Sequence, residues 1–525
     1  MTLADAKIRK KMLTHVYGAK CIGIDAIGVT VEVDISLGIG VHLCGLADVA
    51  VKESLLRTVT ALQSQGYRIP GKKIVINLAP ADTHKNGSGY DLPIAIGIIA
   101  ASEQESLPNL GRYLLMGELG LDATVRSVPG GLPTAELARQ EGFEGCILPY
   151  DSAMEAAQLE GIRVYGVRTM KDAILALSGS PEAESLLVSG TVPIEEETPA
   201  PEMDFADIIG QENAKRGVEI AAAGGHCLIL IGSPGSGKSS LAKAMAGILP
   251  PLTMEESLVT SKIYSVAGRG NLRCGFMRSR PFRAPHYSAS LPAIIGGGGG
   301  DGVFPGEVSL AHSGVLFIDE IAHMPKSTVE ALRGPLEDRK VTISRLKTKV
   351  EYPASFTLVA ASNPCPCGYY GEGDRCTCTP TQRLTYISRL SGPIMDRIDL
   401  QVTVRSISPT AIAERSSHPR ESSAEVAARV LKAREIQRQR FAEEGINCNA
   451  EMNNRQIERY CKLSPECQET MQQLVVKMQF SMRAYYRIIK VARTIADLEG
   501  ARDISVRNLL EAAGYRFLDR QNILR

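Results

Sequence analysis

Hydrophobic positions near the start of the chain change between the two-residue period of a strand and the longer period of a helix. VTVEVDI places Val29, Val31, Val33 and Ile35 on one strand face, and VAVKESLLRTVTAL then has helical spacing. KKIVINLA and RYLLMGEL predict further strands, and YDLPIAIGIIAAS predicts an apolar helix between them. Residues 1–178 are therefore predicted to form a compact α/β domain.

Two more regions follow a break in this pattern. Residues 179–203 are rich in proline and glutamate and show little periodicity, which is typical of a linker. Residues 204–400 contain two buried-strand patterns, CLILIG and GVLFID, each running into a helix, which predicts a parallel sheet with crossover helices. Residues 401–525 keep a helical period, and Gly445 and Gly500 are predicted helix C-caps.

Composition changes this picture little. A chain of 525 residues with 44% hydrophobic and 22% charged residues suits a soluble protein of several domains. Lys and Arg (59) nearly balance Asp and Glu (58), so any affinity for nucleic acid must come from local patches. No signal-like start or long apolar run is present, so we expect a cytosolic protein without a membrane partner. Its 12 cysteines are then free thiols or metal ligands.

The most specific motif is GSPGSGKSS, which satisfies the P-loop pattern between an apolar strand and a helix. Backbone N–H groups of such a loop face phosphates at a helix N-terminus. Lys238 is predicted to reach the β- and γ-phosphates of ATP, and Ser239 to bind Mg²⁺. The full set of predicted nucleotide contacts is Gly232, Ser233, Pro234, Gly235, Ser236, Gly237, Lys238, Ser239 and Ser240.

An acidic pair follows the second buried strand, in GVLFIDE. Asp319 stands where a carboxylate can hold Mg²⁺, and Glu320 stands where a base can polarise the attacking water. An acidic pair at a strand end can also be an ordinary helix N-terminus. The P-loop 80 residues upstream favours the catalytic interpretation.

Several longer blocks occur along the chain in one order: DIIGQENAKRGVEIAAAGGH, RPFRAPHYSAS, FIDEIAHM, LRGPLEDRKVTISR, NPCPCGYYG and LSGPIMDRIDL. Together they resemble the Mg-chelatase-like AAA+ ATPases of the ComM/YifB group, and the resemblance covers essentially the whole chain. Tyr287 departs from the pattern, since the family usually has a second histidine there. The resemblance implies an AAA+ P-loop core followed by a C-terminal helical lid.

The same resemblance implies roles for residues outside the P-loop. Asn363 matches the sensor 1 asparagine that orients the attacking water, and Arg483 matches the sensor 2 arginine of the lid. Arg397 resembles the arginine finger that reaches a neighbour's γ-phosphate, which implies a ring, expected to be a hexamer. The family further implies a DNA helicase that promotes branch migration in homologous recombination and natural transformation.

Other functions remain open from the sequence. A chelatase-like or protein-remodelling ATPase would share this core, although the chain has no D-x-S-x-S metal-adhesion motif. A scaffold without activity would need a defective ATPase site, and every expected catalytic position is intact.

A stretch without acidic residues, 257–300, is the first candidate surface for DNA. Its cations alternate with aromatic residues, a mixture that suits single-stranded or branched DNA, because cations neutralise phosphates and rings stack on exposed bases. The hairpin-like RKVTISRLKTKVEY is a second candidate. Predicted DNA contacts are Arg278, Arg280, Arg283, Arg345 and Lys347. The alternative is a solvated face or a subunit contact.

Four cysteines lie in SNPCPCGYYGEGDRCTC, as two C-x-C pairs separated by eight residues. Glycines between the pairs allow the chain to turn back, and four thiolates would suit a tetrahedral structural Zn²⁺. Free thiols and a redox pair are the alternatives. The predicted ligands are Cys365, Cys367, Cys376 and Cys378.

The first domain resembles the proteolytic domain of Lon proteases, through NLAPADTHKNGSGYDLPIAIGIIAAS and GELGLDATVRSVPGGLPTAELA. Lon enzymes use a serine nucleophile with a lysine base. Alignment to that pattern puts Gly89 at the serine position and Pro133 at the lysine position. Ser88 is one residue away but would lack its base, and Lys85 is a weak substitute. The resemblance therefore implies the fold without the protease chemistry.

Overall fold

The computed structural model describes residues 13–45, 49–81, 85, 87–189, 202–270, 276–298, 302–344, 349–390, 392–406 and 420–519. No helix in these ranges is long and apolar enough to cross a membrane.

A mixed seven-stranded sheet organises the N-terminal region, in the order β3-β4-β2-β1-β5-β8-β9. Pairs β1–β2 and β2–β4 are antiparallel, whereas β3–β4 and the run from β1 through β5 and β8 to β9 are parallel. Short strands β6 and β7 form a separate hairpin. The strands are β1 Thr14–Ile22, β2 Asp25–Ser36, β3 Gly40–Cys44, β4 Lys73–Ala79, β5 Tyr113–Leu115, β6 Glu118–Leu119, β7 Val125–Arg126, β8 Gly145–Pro149 and β9 Arg163–Val167.

Five helices pack on this sheet: α1 Val49–Ser64, α2 Asp91–Ala101, α3 Gly131–Gln140, α4 Tyr150–Glu155 and α5 Met170–Ser178. The predicted alternation in β2 is confirmed, because Val29, Val31, Val33 and Ile35 are all buried. The predicted strand RYLLMGEL is instead two short strands, β5 and β6, separated at Met116 and Gly117.

A five-stranded parallel sheet, in the order β11-β14-β17-β10-β18, organises the region that the sequence predicts to be an ATPase, which is called the ATPase core below. Both predicted core strands are present, as β10 and β14, and β17 lies between them. Two antiparallel hairpins, β12–β13 and β15–β16, stand outside the sheet. The strands are β10 Leu228–Gly232, β11 Phe282–Arg283, β12 Gly296–Gly297, β13 Phe304–Pro305, β14 Val315–Ile318, β15 Lys340–Ser344, β16 Lys349–Pro353, β17 Thr357–Ser362 and β18 Leu400–Val404.

Helices surround this sheet and continue into the C-terminal region. Those of the core are α6 Glu212–Gly224, α7 Lys238–Ile248, α8 Met254–Val266, α9 Leu291–Ile295, α10 Glu307–Leu310, α11 Lys326–Ala331, α12 Arg333–Asp338, α13 Pro380–Ile387 and α14 Gly392–Met395. Those of the C-terminal region are α15 Ser423–Arg440, α16 Asn454–Tyr460, α17 Pro465–Met478, α18 Met482–Leu498 and α19 Val506–Gly514.

The C-terminal helices share one hydrophobic core with one face of the ATPase sheet. Leu230 of β10 belongs to the same buried cluster as Val430 of α15 and Ile488 of α18. Helix α18 ends at Leu498 with Glu499 as its C-cap, and Gly500, predicted as the cap, is the next residue, with φ +68°. The prediction for Gly445 was wrong, because α15 already ends at Arg440 and Phe441 caps it.

Helix α8 joins the ATPase core to the N-terminal region. The Lys262 ammonium, almost completely buried, lies 2.6 Å from Asp25 and 2.7 Å from Glu136 of α3. Ser265, one turn later, accepts a hydrogen bond from the Leu132 N–H at 3.3 Å and donates one to Glu155. The two regions are thus connected by a buried polar contact as well as by the chain.

Candidate functional site

The nucleotide loop lies between β10 and α7, at the carboxyl ends of the parallel strands, where open α/β sheets bind ligands. Gly235 and Gly237 have φ values of +76° and +95°, in the left-handed region that favours glycine. An added Cβ at Gly232 would lie 2.1 Å from the carbonyl oxygen of Val404, so the close approach of β18 requires glycine there. Left-handed residues in a loop before a helix allow successive backbone N–H groups to converge on an anion.

Lys238 lies inside this loop with its ammonium directed at the loop's own oxygens. Its Nζ donates to the carbonyls of Gly232 at 2.8 Å and Ser233 at 2.9 Å. Burial lowers the pKa of Lys238, and the nearby Asp319 and Glu320 carboxylates oppose that shift. Among the described residues, the Ser236 hydroxyl is buried without a hydrogen-bond partner. An unsatisfied hydroxyl and a desolvated cation in an N–H-lined loop fit a phosphate group.

The acidic pair meets the loop at the end of β14. The Ser239 hydroxyl donates to Asp319 Oδ2 at 3.2 Å, so the two predicted Mg²⁺ ligands adjoin each other. Glu320 has φ +50°, a strained backbone for a residue with a side chain, and such strain is concentrated at functional sites. His323 Nδ1 lies 3.2 Å from Glu320 Oε2, a contact that the sequence reasoning missed although the i,i+3 spacing in FIDEIAH suggests it.

Asn363 follows β17, the strand between the P-loop strand and the strand of the acidic pair. Its Oδ1 accepts a hydrogen bond from Lys238 Nζ at 3.2 Å, so the predicted sensor lies at the loop. The structure therefore brings together Lys238, Ser239, Asp319 and Asn363, with Glu320 next to Asp319.

The two predicted arginines lie together elsewhere, where the lid meets the core. Arg483 Nη1 pairs with Asp396 at 2.9 Å, and Arg397 pairs with Glu337. Arg487, one turn after Arg483 in α18, pairs with Asp399 and donates to the Arg397 carbonyl at 3.3 Å. Helix α18 thus holds the segment that carries Arg397, and sequence reasoning missed Arg487. The phosphate contacts assigned to Arg397 and Arg483 stay predictions.

Asp399 also connects the lid to the start of β10. It accepts a hydrogen bond from the Cys227 N–H at 3.1 Å, and the buried His226 ring lies 3.4 Å away. Burial alone would raise the pKa of Asp399, but Arg487 and His226 hold it well below its usual range. This network ties α18 to the strand that leads into the nucleotide loop.

The Arg280 side chain is largely buried and contacts other parts of the protein, so it is not placed on a surface that DNA could reach. Its guanidinium donates to the carbonyls of Pro250 and Ser313, each at 2.6 Å, and to both oxygens of Glu256, at 2.8 and 3.1 Å. Only 14% of the Arg280 side chain is exposed. A cation satisfied in this way has few donors left for a phosphate, so this arginine no longer supports the DNA prediction.

Other cations of the acid-free stretch are also paired. Arg283 forms a two-pronged pair with Glu307, at 2.6 and 2.8 Å, and Arg269 lies 3.6 Å from the same carboxylate. Lys262 is engaged by the N-terminal region as described above. Arg278 is exposed, whereas Arg345 and Lys347 lie outside the described residues, between the described strands β15 and β16.

The four predicted cysteines converge. Three of their Sγ–Sγ distances are 3.3 Å between Cys365 and Cys367, 3.8 Å between Cys365 and Cys376, and 3.7 Å between Cys367 and Cys376. With Cys378 included, all four sulfurs lie within 4.8 Å of one another. A Zn–S bond of about 2.3 Å gives a tetrahedron edge of about 3.8 Å, so the donors fit zinc. A backbone hydrogen bond from Tyr369 lowers the pKa of the Cys367 thiol to about 6, whereas burial and the neighbouring sulfurs raise the pKa values of Cys376 and Cys378.

Met116 lies beside both segments that align with the Lon dyad, at Gly89 and next to Pro133. An added Cβ at Gly89 would lie 3.3 Å from Met116 Cε, and the Thr134 hydroxyl, beside the buried Pro133, lies 2.9 Å from Met116 Sδ. Ser88 instead donates to Glu118, and the Lys85 side chain is buried with its Nζ donating to the Pro80 carbonyl. These surroundings do not assemble a serine with a lysine base.

Three family models match the chain. Residues 31–152 match the model described as subunit ChlI of Mg-chelatase, and residues 204–412 match magnesium chelatase, subunit ChlI. Residues 420–516 match the C-terminal model of the same subunit. Lon protease 2 of Bacillus subtilis is 25% identical over 134 residues, which cover 25% of this chain and 24% of that protein. This supports the Lon-like part of the predicted fold.

Two full-length relatives extend the match to nearly the whole sequence. YifB of Salmonella typhimurium is 42% identical over 509 residues, or 97% of this chain and 98% of that protein. The competence protein ComM of Haemophilus influenzae is 41% identical over 512 residues, with the same coverage of 97% and 98%. At this identity and coverage, and with the P-loop site described above, the chain belongs to the magnesium-chelatase-like AAA+ ATPase family of ComM and YifB.

Proposed function

We propose that this protein is an ATP-driven ring motor that acts on DNA, as a helicase or branch-migration factor in recombination and natural transformation. The observation that carries the motor is the convergence of Lys238, Ser239, Asp319, Glu320 and Asn363 at the ends of three adjacent parallel strands. Phosphoryl transfer depends mainly on positioning and charge stabilisation, and these groups supply both.

Each residue then has a definite task in hydrolysis. ATP supplies the phosphoryl group, and a bound Mg²⁺, which family membership implies, would neutralise its developing charge. The Lys238 ammonium leaves the loop carbonyls to hold the phosphates, and Ser239 and Asp319 would hold the metal. Glu320 takes a proton from the attacking water, which Asn363 orients. Arg483 contacts the phosphates after leaving Asp396.

A hexameric ring is part of this proposal because Arg397 acts in a neighbouring site. Its guanidinium offers two parallel donors to phosphate oxygens at the moment when charge develops. ATPase activity should therefore fall steeply when the protein is diluted. Arg397→Ala and Lys238→Ala subunits, each inactive alone, should regain part of the activity when mixed. Hydrolysis that is independent of concentration down to the monomer would overturn the ring.

Support for DNA as the substrate comes from the relative named for competence and from the β15–β16 hairpin. The hairpin connects exposed strand ends, Ser344 and Lys349, through the sequence RLKT, which carries the predicted contacts Arg345 and Lys347. Its cations suit a DNA backbone, and their effect must weaken with salt. Arg280 and Arg283 are no longer part of this argument.

Steady-state ATP hydrolysis, with and without single-stranded DNA at fixed salt, tests this proposal, and Lys238→Ala serves as the blank. Several-fold stimulation that disappears in Arg345→Ala/Lys347→Ala supports a DNA motor. Lys432→Ala/Lys477→Ala is the matched control, because it removes two exposed lysines from the lid helices α15 and α17. Robust hydrolysis that is indifferent to DNA would instead favour a chelatase-like or protein-remodelling ATPase.

We also propose that the four cysteines hold one structural Zn²⁺, supported by sulfur spacings close to a tetrahedron edge. Metal analysis of protein purified under reducing conditions should find one zinc per chain, and Cys376→Ser/Cys378→Ser should lose it. Protein without zinc would overturn this proposal. Titration of four free thiols, or of two thiols and a disulfide, would then separate the two alternatives.

A further inference from the structure

The arc between the cysteine pairs, residues 368–375, packs against the nucleotide loop. The Ser233 hydroxyl, in the second position of the P-loop, donates to Glu372 Oε1 at 2.6 Å. Ser406, just after β18, also donates to that carboxylate and lies 2.9 Å from the Ser233 hydroxyl. A single carboxylate on the arc therefore joins the loop to the segment beyond β18.

A second contact brings the backbone of the arc to the loop. Gly368 has φ +87°, and an added Cβ there would lie 2.7 Å from Cδ of Pro234. Glycine at this position thus permits the arc to touch the ring of Pro234 directly. Asn363, two residues before the first cysteine, contacts Lys238 from the same segment. The chain from Asn363 to Glu372 therefore touches the loop at Ser233, Pro234 and Lys238.

The cysteine cluster fixes both ends of the arc. Cys367 directly precedes Gly368, and Cys376 follows Glu372 by four residues. The Cys367 N–H also donates to Cys378 Sγ at 3.4 Å, which brings the two ends together. The arc itself has one short 3-10 turn, Gly373–Arg375, and three of its eight residues are glycines with positive φ. Such a segment loses much conformational entropy when ordered, so its position depends on what holds its ends.

We propose that zinc at the cysteine cluster fixes Gly368 and Glu372 against the nucleotide loop, so that zinc occupancy sets the affinity of the protein for ATP. The inference rests on the proposed ATP and zinc sites and adds a link between them. With zinc bound, the loop is held in its phosphate-binding conformation before ATP arrives, and preorganisation of this kind strengthens binding. Without zinc the arc is released, and part of the binding energy must reorder the loop.

The test uses full-length protein in two states. The first state is the protein as purified under reducing conditions. The second state is the same protein after zinc has been removed with a chelator and the chelator has been removed in turn. A fluorescent ATP analogue with Mg²⁺ reports nucleotide affinity, metal analysis reports zinc, and circular dichroism confirms folding. We expect zinc removal to weaken nucleotide binding about tenfold. Effects of this size are typical when residues that position the directly contacting groups are removed. Returning one equivalent of zinc should restore the affinity.

A pair of variants isolates the proposed contact. Glu372→Ala leaves all four cysteines in place, so it should keep zinc, and removing zinc should then change its nucleotide affinity clearly less than in the wild type, because only the Gly368 contact with Pro234 remains. Asp374→Ala is the matched control, since it removes an exposed carboxylate from the same arc and should retain the full zinc dependence. A Glu372→Ala protein that retains the full zinc dependence would overturn the role of this carboxylate.

Reciprocity provides a readout independent of catalysis. If zinc raises ATP affinity by a given factor, ATP must raise zinc affinity by the same factor. Competition with a chromophoric chelator measures zinc affinity with and without ATP, and Lys238→Ala corrects for chelation of zinc by ATP itself. If the protein binds zinc but its ATP affinity is the same with and without zinc, the proposed link between the two sites is wrong, whereas the two sites themselves are not contradicted. Failure of the wild-type protein to bind ATP would instead overturn the proposed motor, and the separate zinc measurement distinguishes these results.

Discussion

Replacing Arg280 with alanine should destabilise the ATPase core rather than impair DNA binding. The guanidinium connects the segment after α7, through the Pro250 and Pro251 carbonyls, to the Ser313 carbonyl just before β14. It also neutralises Glu256, whose side chain is 16% exposed. Burial alone would raise the pKa of Glu256, but Arg280 brings it below its ordinary value.

The size of the effect follows from what the substitution leaves behind. Removing one partner of a largely buried ion pair costs about 3–5 kcal/mol, because the remaining charge stays buried without compensation. Both side chains retain some exposure, so we expect about 3 kcal/mol for Arg280→Ala. For a cooperative unit of about 200 residues this lowers Tm by roughly 6–12 °C. Adding Glu256→Gln to Arg280→Ala should recover part of the loss, since the stranded charge is then gone.

Thermal unfolding followed by circular dichroism measures this prediction, with Arg278→Ala as the matched control. Arg278 is exposed in the same segment, and an exposed polar contact is worth about 1 kcal/mol or less, so its substitution should cost clearly less stability than Arg280→Ala. DNA stimulation of ATP hydrolysis, assayed well below Tm, should persist in Arg280→Ala. The reasoning would be refuted by an unchanged Tm together with lost DNA stimulation, because that combination would make Arg280 a DNA contact after all.

Three further outcomes are expected. Glu320→Gln should still bind ATP but hydrolyse it at least about 100-fold more slowly in single-turnover assays, because the base is removed while the loop remains. Burial raises the pKa of Glu155 from 4.5 to about 7. The folded state therefore favours the protonated side chain, and this contribution to stability is complete below pH 4.5. Up to about 3 kcal/mol of the free energy of unfolding is lost as pH rises through 7. The nearby Asp151 carboxylate also raises the pKa of Glu155. Glu155→Gln removes the ionisable group, so Tm should decline less between pH 5 and pH 8 in this variant than in the wild type. Asp396→Ala removes the partner of the exposed Arg483, an ion pair worth about 0.5 kcal/mol. Arg483 no longer has to break this pair to reach the phosphates, so nucleotide affinity should rise about twofold. A fall in nucleotide affinity would contradict the role of Arg483 as a phosphate contact.

Features encoded in neighbouring residues were predictable from the sequence. The alternation in β2 and the strand–loop–helix of the P-loop depend on residues within a few positions of each other, and the structure confirms both. The convergence of the cysteines also followed from their spacing, since the glycines between the pairs let the chain return on itself.

Pairings across the fold were not predictable in the same way. The acid-free stretch 257–300 was interpreted as a DNA surface, yet its partners lie just beyond both ends: Glu256 pairs with Arg280, and Glu307 pairs with Arg283. The composition of a segment shows an excess of cations, but it does not show which carboxylates from outside the segment lie next to them in the fold. The contact of Glu372 with Ser233 joins residues 139 apart in sequence, and no local pattern indicates it.

The docking of α8 bears on whether a lost activity could be regained. Ser265 of α8 bonds to the backbone of Gly130 and Leu132, directly before the position aligned with the Lon lysine. A protease needs an open path by which a peptide reaches its nucleophile and base, and here helix α8 of the ATPase core contacts the turn that would carry the base. Gly89→Ser combined with Pro133→Lys would thus restore two functional groups without restoring access. The turn that precedes the aligned lysine position is part of the contact between the N-terminal region and the ATPase core, so a path to residue 133 would open only if α8 moved away from Gly130 and Leu132.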